Sequence, residues 1–496
     1  MNAPTIRIDE DLDAAALRGI VSRDLAGPLA ALLPARRWFG DKDRPIADVR
    51  AAGAVLDAFG QVSFAWVALD VGFRDGGRAG YALPLAVADA GTTEGPLLAR
   101  FETPDGPREL LEATDHPAFP DWLLDALAGR RVRDGAGGRL EFAPFASLAG
   151  SLDAARRGPA KVGGLEQSNT AIRYGDGALV KLFRRLVPGV NLDEAVTRFL
   201  VERGGFAHVP PPLGAASWLP EDGGDAVPVA LAQGFVPNHG DGWGWVLDRL
   251  AAGTSEARDE ATAALGLLGR RTADMHRALA SDPEDPFFAP EPSSAASIAA
   301  ATEASRAALA GTVAALRQAT PPETAGALRD RVLAGADALA AAFGGFARES
   351  GLARIRVHGD YHLGQVLRTP DGDWTLLDFE GEPARPLAER LEKTSALKDV
   401  SGMLRSLGYA RGAAALAGGD ADALAEWEIA ARGAFLDGYA AGMADSPVPL
   451  VPADPAAFNA ALAAWELDKA LYEVRYELAN RPDWLPIPLA ALARLA

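Results

Sequence analysis

Apolar residues change their spacing along the first hundred positions. They recur at helical spacing from Ala14 to Leu33 and stop at Pro34, and runs typical of strands then cover 49–59, 62–71 and 80–87. Turn residues such as Asp75-Gly76-Gly77 separate these runs. The pattern predicts a small α+β domain over residues 1–100, followed by a connector rich in Pro, Asp and Gly at 104–107 and 115–120.

The remainder of the chain reads as a β-rich lobe over residues 101–240 and a helical lobe over 241–496. Strand-like runs occur at 140–146, 170–173, 178–183, 214–218 and 227–236, with a helix-like stretch at 192–202. Long helical patterns follow at 255–279, 295–317, 324–350, 395–411, 420–443 and 454–478, and a short β-rich segment at 354–378 interrupts them. We find no internal repeat.

The composition restricts the class of protein. The 496 residues contain 49 Lys plus Arg against 67 Asp plus Glu, for a formal charge of -18, and no Cys. Disulfides, cysteine nucleophiles and thiolate metal sites are therefore excluded, and the acidic excess argues against nucleic-acid binding. No signal peptide or membrane-spanning run is evident, so we expect a cytoplasmic protein with no membrane partner.

Lysine is rare in this chain. Only six of the 49 basic residues are lysines, at positions 42, 161, 181, 393, 398 and 469. Arg and Lys are not interchangeable where a compact ammonium is needed, so a retained Lys marks a candidate functional position. Chance survival is the alternative for each of them.

The segment 355–380 carries the most informative chemistry. Two short β runs flank a polar loop in which Asp360 precedes Gln365 by five residues, and Asp378 ends the second run. In phosphoryl transfer an Asp takes the proton of the attacking hydroxyl, while an amide and a second carboxylate hold Mg²⁺. The spacing matches the D-x-x-x-x-N rule of kinase catalytic loops, with Gln in place of Asn. A plain turn, or a metal site built on His358 and His362, is the alternative.

A nucleotide site is predicted in the β-rich lobe. The turn at 162–170 contains Gly residues and small hydroxyls whose neighbouring N–H groups suit phosphates, although it is not G-x-G-x-x-G. Lys181 lies in the next apolar strand, and Glu194 follows at the start of a helix where it would pair with that ammonium. A surface Lys on an edge strand is the alternative.

Several motifs in the same order resemble bacterial maltokinases, which belong to the aminoglycoside-phosphotransferase-like kinases. The likeness covers nearly the whole chain, and its motifs are the segments 37–44, 167–170, 181–189, 358–365, 378–383, 398–405 and 469–484. The resemblance implies ATP- and Mg²⁺-dependent transfer of phosphate to the anomeric hydroxyl of maltose, giving maltose 1-phosphate for α-glucan (glycogen) synthesis. It also implies an α+β, bilobal, eukaryotic-protein-kinase-like fold with an N-terminal cap domain.

The resemblance also assigns roles to individual residues. Asp360 would be the catalytic base, Gln365 and Asp378 the Mg²⁺ ligands, and Lys181 the contact to the α- and β-phosphates. The remaining nucleotide contacts would come from Glu194, from the loop Gln167, Ser168, Asn169 and Thr170, and from the hinge strand Gln233, Phe235 and Val236.

An acceptor-sugar site is predicted on one helix. Lys469, Tyr472, Glu473, Tyr476 and Glu477 fall at positions that share one helical face, a combination that suits sugar recognition. A solvated face with Glu/Lys pairing is the alternative. Glu380 would reach the metal or the acceptor, or close the turn before Gly381. Asp399 precedes an apolar helical run, and we interpret it as a helix cap.

Two other functions are consistent with these motifs. One is a kinase for another sugar or amino sugar such as glucosamine, although the sequence 378–383 after the metal Asp favours maltose. The other is a catalytically silent partner of a trehalose-converting enzyme, and a trehalose synthase is also the expected protein partner of an active kinase. The intact set of Asp360, Gln365, Asp378 and Lys181 argues against the silent protein.

Overall fold

The computed structural model describes residues 3–92, 96–163, 169–383 and 385–496. The chain divides into two compact units. The first unit comprises Met1–Ala195 and Pro211–Val236, and the second comprises Val196–Pro210 and Pro237–Ala496.

The first unit is dominated by strands. Its strands are β1 (Thr5–Arg7), β2 (Ile46–Phe59), β3 (Val62–Phe73), β4 (Arg78–Asp89), β5 (Leu97–Thr103), β6 (Gly106–Glu112), β7 (Val132–Gly135), β8 (Gly138–Pro144), β9 (Ala160–Val162), β10 (Asn169–Tyr174), β11 (Ala178–Phe183), β12 (Arg185–Leu186), β13 (Pro212–Pro220) and β14 (Val227–Gly234). Its helices are α1 (Ala14–Arg23), α2 (Ala26–Leu32), α3 (Phe119–Ala128) and α4 (Leu148–Arg156), and α5 (Leu192–Glu202) continues into the second unit.

These strands form two sheets within the described residues. The first has the order β1-β5-β6-β4-β3-β2, with β12 paired to β4, and the second has the order β7-β8-β13-β14-β11-β10-β9. β1 is parallel to β5, whereas the other pairs are antiparallel. Residue 100 lies inside the first sheet, and 104–107 covers the turn of the β5–β6 hairpin and the first two residues of β6, not a connector. Turn residues have the same composition in a hairpin and in a linker, so the pattern does not separate the two.

Both faces of the first sheet are covered by apolar side chains. On one face, Leu17 of α1 and Leu29 of α2 join a cluster with Val67. On the other face, Trp122 of α3 packs with Phe64 against residues of the second sheet, in a cluster that also includes Leu182 beside Lys181. The two sheets therefore share one hydrophobic core.

The second unit is mainly helical. Its helices are α6 (Gly242–Ala251), α7 (Ser255–Leu279), α8 (Ala295–Gln318), α9 (Glu323–Ala334), α10 (Ala336–Ala342), α11 (Leu387–Arg390), α12 (Leu397–Leu416), α13 (Ala421–Met443), α14 (Pro455–Asn480) and α15 (Pro486–Ala493). Two short hairpins are formed by β15 (Glu291–Pro292) with β16 (Ala353–Arg354), and by β17 (Val366–Arg368) with β18 (Trp374–Leu376).

Polar caps and glycine contacts define the long helices. Thr254, Asp420 and Asp454 accept hydrogen bonds from the first turns of α7, α13 and α14. α7 and α13 approach closely, because a Cβ added to Gly269 would lie 2.0 Å from the carbonyl oxygen of Phe435. The expected α+β architecture, β-rich first and helical afterwards, is confirmed. In the described part of the chain, no helix is long and apolar enough to cross a membrane.

Candidate active site

Asp360 lies in the loop between β16 and β17 and faces a lysine of helix α14. Its Oδ1 is 3.3 Å from the Nζ of Lys469, and its side chain remains one quarter exposed. A carboxylate in this state can accept a proton from a hydroxyl that reaches it. The loop thus presents an accessible base candidate next to a fixed positive charge.

The backbone of this loop is held by Asp399, a buried residue in the first turn of α12. Its carboxylate accepts hydrogen bonds from the N–H groups of His358, at 2.8 Å, and Gly359, at 2.9 Å. His276 of α7 lies 3.1 Å away through Nε2, and its Nδ1 is 3.0 Å from the hydroxyl of Tyr439. Burial opposes the charge of Asp399, but His276 and the backbone donors outweigh it and lower its pKa.

The sequence pattern predicts Asp399 as a cap of α12, and this prediction is wrong. The capping position is Ala396, and both Asp399 oxygens point to a loop 40 residues earlier in the chain. A carboxylate near a helix start is locally indistinguishable from a cap, so only tertiary contacts reveal this role. Gly359 has φ +86°, a left-handed conformation that glycine adopts without strain.

Gln365 and Asp378 lie side by side at the base of the β17–β18 hairpin. The Nε2 of Gln365 is 3.2 Å from Oδ2 of Asp378, and the N–H of Leu377 donates to the Gln365 carbonyl at 2.9 Å. Asp378 has φ +62°, a costly backbone conformation for a non-glycine residue. An amide and a carboxylate carry oxygens of the hard type that Mg²⁺ binds.

The histidines of the loop make backbone contacts. His358 Nε2 is 2.8 Å from the carbonyl oxygen of Leu377, and His362 Nδ1 accepts the N–H of Gly364 at 3.0 Å. Burial lowers the pKa of His362, which favours the neutral ring. These contacts indicate a structural role for both rings and weaken the alternative of a histidine metal site.

Beside Asp360, Lys469 also binds Glu382, a residue that we did not single out from the sequence. The Nζ to Oε1 distance is 2.8 Å, and Arg385 contacts the other carboxylate oxygen of Glu382. Burial opposes the charge of Glu382, yet Lys469 and Lys398 outweigh it and lower its pKa to about 2. Burial likewise opposes the charge of Lys469, and Glu382 and Asp360 outweigh it and raise its pKa. The available sequence signal was the third acidic residue of the segment 378–383.

The five acceptor-site residues predicted on α14 divide between two environments. Glu473 is buried and receives Nε and Nη2 of Arg405, at 2.9 and 2.7 Å. Glu477 receives the hydroxyl of Tyr409 at 3.0 Å and the guanidinium of Arg481. Both glutamates thus bind neighbouring side chains of the second unit, whereas Lys469 faces Asp360.

An aromatic row begins at Lys469 and continues along the end of α14. The Nζ of Lys469 lies 5.1 Å from the ring centroid of Tyr472, and the Tyr472 and Tyr476 centroids are 6.4 Å apart. The Arg481 guanidinium lies 5.4 Å from the Tyr476 ring and 4.7 Å from the Trp484 ring. These rings are partly or largely exposed. The row also includes Trp243, whose ring centroid lies 6.5 Å from that of Trp484. Its rings offer flat apolar faces, and the row starts beside Asp360, the base candidate.

Glu380 precedes this cluster in the chain. Its carbonyl oxygen accepts Nη1 of Arg390 at 2.7 Å, which fixes the backbone before Gly381. Gly381 has φ +72°. This geometry agrees with a turn-closing role for the Glu380 backbone, while its side-chain role stays a prediction.

In the first unit, Lys181 lies on β11 and is 7% exposed. Its Nζ is 3.3 Å from Oδ2 of Asp193, a fully buried residue at the start of α5. The sequence predicts Glu194, one position later, for this pairing. Its backbone N–H donates to Oδ1 of Asn191 at 2.8 Å, and the role of its side chain stays a prediction. Lys181 is therefore a buried ammonium with a carboxylate partner, not a surface cation.

The predicted phosphate loop is described only at its ends. Gln167 and Ser168 lie outside the described residues. Asn169 and Thr170 begin β10, which pairs with the strand of Lys181. Thr170 Oγ1 accepts Nε of Arg184 at 2.8 Å, so the end of the loop is tied to a buried arginine.

Arg184 joins the two sheets of the first unit and was not singled out from the sequence. It is 1% exposed, and its Nη2 lies 2.7 Å from Glu112 of β6. Its guanidinium also lies 4.7 Å from the ring of Trp38. Burial outweighs these partners and lowers the pKa of Arg184. In the sequence, Arg184 could have been recognised as a candidate by its position directly after the apolar residues that include Lys181.

The predicted hinge lies where the chain leaves the first unit. Gln233 is buried on β14 opposite Leu179, and Phe235 donates its N–H to Gly177 at 3.3 Å. The Arg173 guanidinium stacks 3.9 Å above the Phe235 ring. Val236 is the last residue of the first unit.

A β-rich region with a buried lysine, followed by a helical region with the Asp360, Gln365 and Asp378 set, defines a phosphotransferase of the kinase-like class. Comparison with known proteins agrees. The family model of the phosphotransferase enzyme family matches residues 163–442, and that of the maltokinase N-terminal cap domain matches 32–128. The chain belongs to the phosphotransferase enzyme family and carries a cap domain of the maltokinase type, as the sequence motifs predicted.

Similar proteins bear the name glucosamine kinase. One from Streptacidiphilus jiangxiensis is 30% identical over 438 residues, which cover 79% of this chain and 94% of that protein. Another from Mycolicibacterium smegmatis is 30% identical, covering 67% of this chain and 78% of that protein. A glucosamine kinase solved with glucosamine, ADP and inorganic phosphate superposes with a TM-score of 0.66 at 24% identity, covering 96% and 99% of the two chains.

Proposed function

We propose that this protein is a sugar kinase that transfers the γ-phosphate of ATP to the anomeric hydroxyl of maltose. The observation that carries the proposal is the aromatic row beginning at Tyr472, next to Lys469 and Asp360. A disaccharide whose reducing ring lies at Asp360 would extend its second ring over Tyr472 and Tyr476. A monosaccharide would leave those faces exposed to water.

The chain's own groups support each part of the reaction. Asp360 accepts the proton of the anomeric hydroxyl as its oxygen bonds to the γ-phosphorus, and the bond from that phosphorus to the ADP oxygen breaks. Lys469 holds the Asp360 carboxylate in place through the 3.3 Å contact. Lys181, buried on β11, supplies the positive charge expected for the α- and β-phosphates.

Gln365 and Asp378 are the residues that would hold Mg²⁺. When bound there, Mg²⁺ would supply positive charge to the phosphates. The strained backbone at Asp378 supports this role, because such conformations persist where the surroundings impose them and cluster at functional sites. We also propose the product as a precursor for α-glucan synthesis, and a trehalose-converting enzyme as a partner; both rest on the resemblance of the motifs.

Glucosamine is the second candidate substrate, because the similar proteins named above are glucosamine kinases. Near Asp360, Glu382 and Asp360 raise the pKa of Lys469 and hold it as a cation, and Arg385 contacts the other oxygen of Glu382, so positive and negative groups are paired and do not by themselves separate the two sugars. ATP consumption measured with maltose, glucose and glucosamine separates the candidates. Strong activity on glucosamine with none on maltose would overturn the proposal.

A further inference from the structure

A cavity of about 310 Å³ lies in the second unit, bounded by residues of α9, α12, α13 and α15. Its lining, among the described residues, includes neither Asp360 and Lys469 nor the rings of the aromatic row. The volume is within the range of small-molecule sites, which are mostly apolar and contain a few polar groups that orient the ligand. The cavity is therefore a candidate binding site separate from the proposed active site.

Three helices supply apolar side chains to the cavity. They include Leu328 of α9, Leu416 of α12 and Ile487 of α15. A Cβ added to Gly412 of α12 would lie 2.5 Å from Cδ1 of Ile487, so α12 and α15 approach closely along one side. These walls suit the apolar body of a ligand.

Arg405 of α12 brings an unused donor to the cavity. The residue is 5% exposed, and its Nε and Nη2 bind Glu473. Its Nη1 has no hydrogen-bond partner in the described part of the chain. A Cβ added to Gly408, which also lines the cavity, would lie 3.7 Å from this Nη1 and 3.5 Å from Oε1 of Glu428. Because a buried polar atom without a partner is costly, this nitrogen indicates an acceptor that comes from outside the chain.

Two further arginines of the lining share one buried carboxylate. Nε of Arg411 lies 3.2 Å from Glu428, and Nη1 and Nη2 of Arg494 lie 3.4 and 3.5 Å from it. Burial opposes the charge of Glu428, but Arg494 and Arg411 outweigh it and lower its pKa. The terminal nitrogens of Arg411 have no acceptor among the described residues.

The balance of charge in the cavity follows from this sharing. Asp483, the other acid of the lining, is exposed, so solvent screens its charge. Glu473 accounts for Arg405 from outside the cavity. Two guanidiniums therefore face one buried carboxylate, and the local charge favours a second anion.

We propose that this cavity binds a small organic acid. Its carboxylate accepts hydrogen bonds from the unused nitrogens of Arg405 and Arg411, and its apolar body lies against Leu328 and Ile487. Arginine forms short, paired hydrogen bonds with carboxylates, which supports an acid over a neutral ligand. The inference goes beyond the proposed function and does not depend on which sugar is phosphorylated.

Three probes with one phenylpropyl body test the proposal: hydrocinnamate, hydrocinnamyl alcohol and phenylpropylamine. They differ in the charge of the terminal group, and their dissociation constants are measured by isothermal titration against the full-length protein. We expect the acid to bind at least about tenfold more tightly than the alcohol, and the amine to bind more weakly than the alcohol.

Substitutions in the lining locate the bound probe. Arg411→Met should weaken the binding of hydrocinnamate about tenfold and leave the alcohol nearly unchanged, whereas Arg411→Lys retains the charge and should recover part of the loss. Ala490→Phe, which places a ring in the cavity, should weaken the binding of both probes. Arg317→Met, at an exposed position of α8, is the control and should bind both as the wild type does.

Melting temperatures show whether each variant is folded. Arg494→Met removes the other guanidinium and carries the same prediction as Arg411→Met. The side chain of Arg494 is 57% exposed, so this variant decides the question if Arg411→Met does not fold. The proposal is overturned if hydrocinnamate does not bind, if it binds no more tightly than the alcohol, or if neither the arginine variants nor Ala490→Phe weaken its binding.

Discussion

The Nζ of Lys469 lies 3.3 Å from Oδ1 of Asp360, so an ammonium on α14 contacts the carboxylate of the catalytic loop. Lys469 is itself held by Glu382 at 2.8 Å. The contact ties the position of the base to the helix that carries the aromatic row. The same helix thereby contacts the proposed base and carries the proposed sugar surface.

Asp360→Asn should remove turnover while ATP binding persists. An amide cannot take the proton of the attacking hydroxyl, and general-base catalysis contributes roughly 10²- to 10⁴-fold. Steady-state assays with maltose should show kcat reduced by that factor, and titration with ATP should give a dissociation constant near that of the wild type. Asp371→Asn, at an exposed turn, is the matched control. Near-normal kcat in Asp360→Asn would refute the catalytic assignment.

Lys181→Arg should impair the enzyme although the charge is retained. The site is buried and shaped around an ammonium 3.3 Å from Asp193, and a planar guanidinium is larger and directs its donors differently. We expect kcat/KM for ATP to fall at least about tenfold, with a lower melting temperature from overpacking. Lys161→Arg, on the exposed strand β9 of the same sheet, should behave as the wild type. Full activity of Lys181→Arg would show that Lys181 has no specific role in binding the nucleotide phosphates.

Asp399→Asn should lower kcat through the position of the loop. One carboxylate oxygen becomes an NH₂ group that faces a donor from His358 or Gly359, and such a mismatch costs about 1–3 kcal/mol. We expect a lower melting temperature and a kcat reduced more than the KM for maltose changes. Asp437→Asn, at an exposed position of α13, is the control. A variant with lower stability but unchanged kcat would limit Asp399 to a structural role.

Tyr476→Ala should discriminate between a disaccharide and a monosaccharide. Tyr476 is 44% exposed and extends the row away from Asp360, beyond Tyr472. Loss of its ring should raise the KM for maltose by roughly tenfold, since aromatic contacts are worth about 0.5–1.5 kcal/mol beyond their burial. Any activity on glucose should change little. Equal effects on both sugars would place Tyr476 outside the second subsite.

Glu382→Gln should lower the free energy of unfolding near neutral pH. In acid, the difference between this variant and the wild type should disappear. The pKa of Glu382 falls from 4.5 to about 2 on folding, so its charge stabilises the folded state above pH 4.5 and the contribution disappears as the pH falls toward 2. The shift corresponds to about 3 kcal/mol at neutral pH.

Melting temperatures at pH 7 and pH 3 test this expectation. The deficit of Glu382→Gln relative to the wild type should shrink by more than half at pH 3. Glu392→Gln, at an exposed position of the same segment, should show no deficit at either pH. An equal deficit at both values would mean that Glu382 stabilises the protein through packing and not through its charge.

The sequence was most informative where function imposes residue types at short spacing. Gln365 and Asp378 lie at the base of one hairpin, so their proximity follows from local structure, and Asp360 lies in the loop just before that hairpin. Lys181 was identifiable because lysine is rare and its strand is apolar. The order of a β-rich region before a helical region also followed from periodicity.

Contacts between distant segments were not predictable. Asp399 looks like a cap until its loop partners, 40 and 41 residues away, are known. The link from Arg184 to Glu112 spans two sheets, and no periodicity encodes it. Lys469 and Glu473 lie on adjacent turns of α14 but meet different neighbours. Glu473 binds Arg405 of another helix, and nothing in the pattern of α14 itself indicates that contact.

The most direct test of the central claim is the identity of the phosphorylated product. The protein is incubated with ATP, Mg²⁺ and maltose, and the product is analysed by ³¹P and ¹H nuclear magnetic resonance. We predict a single phosphate coupled to the anomeric proton of the reducing ring, as in maltose 1-phosphate. A phosphate on any other hydroxyl, or product formation with glucosamine and none with maltose, would contradict the proposed function.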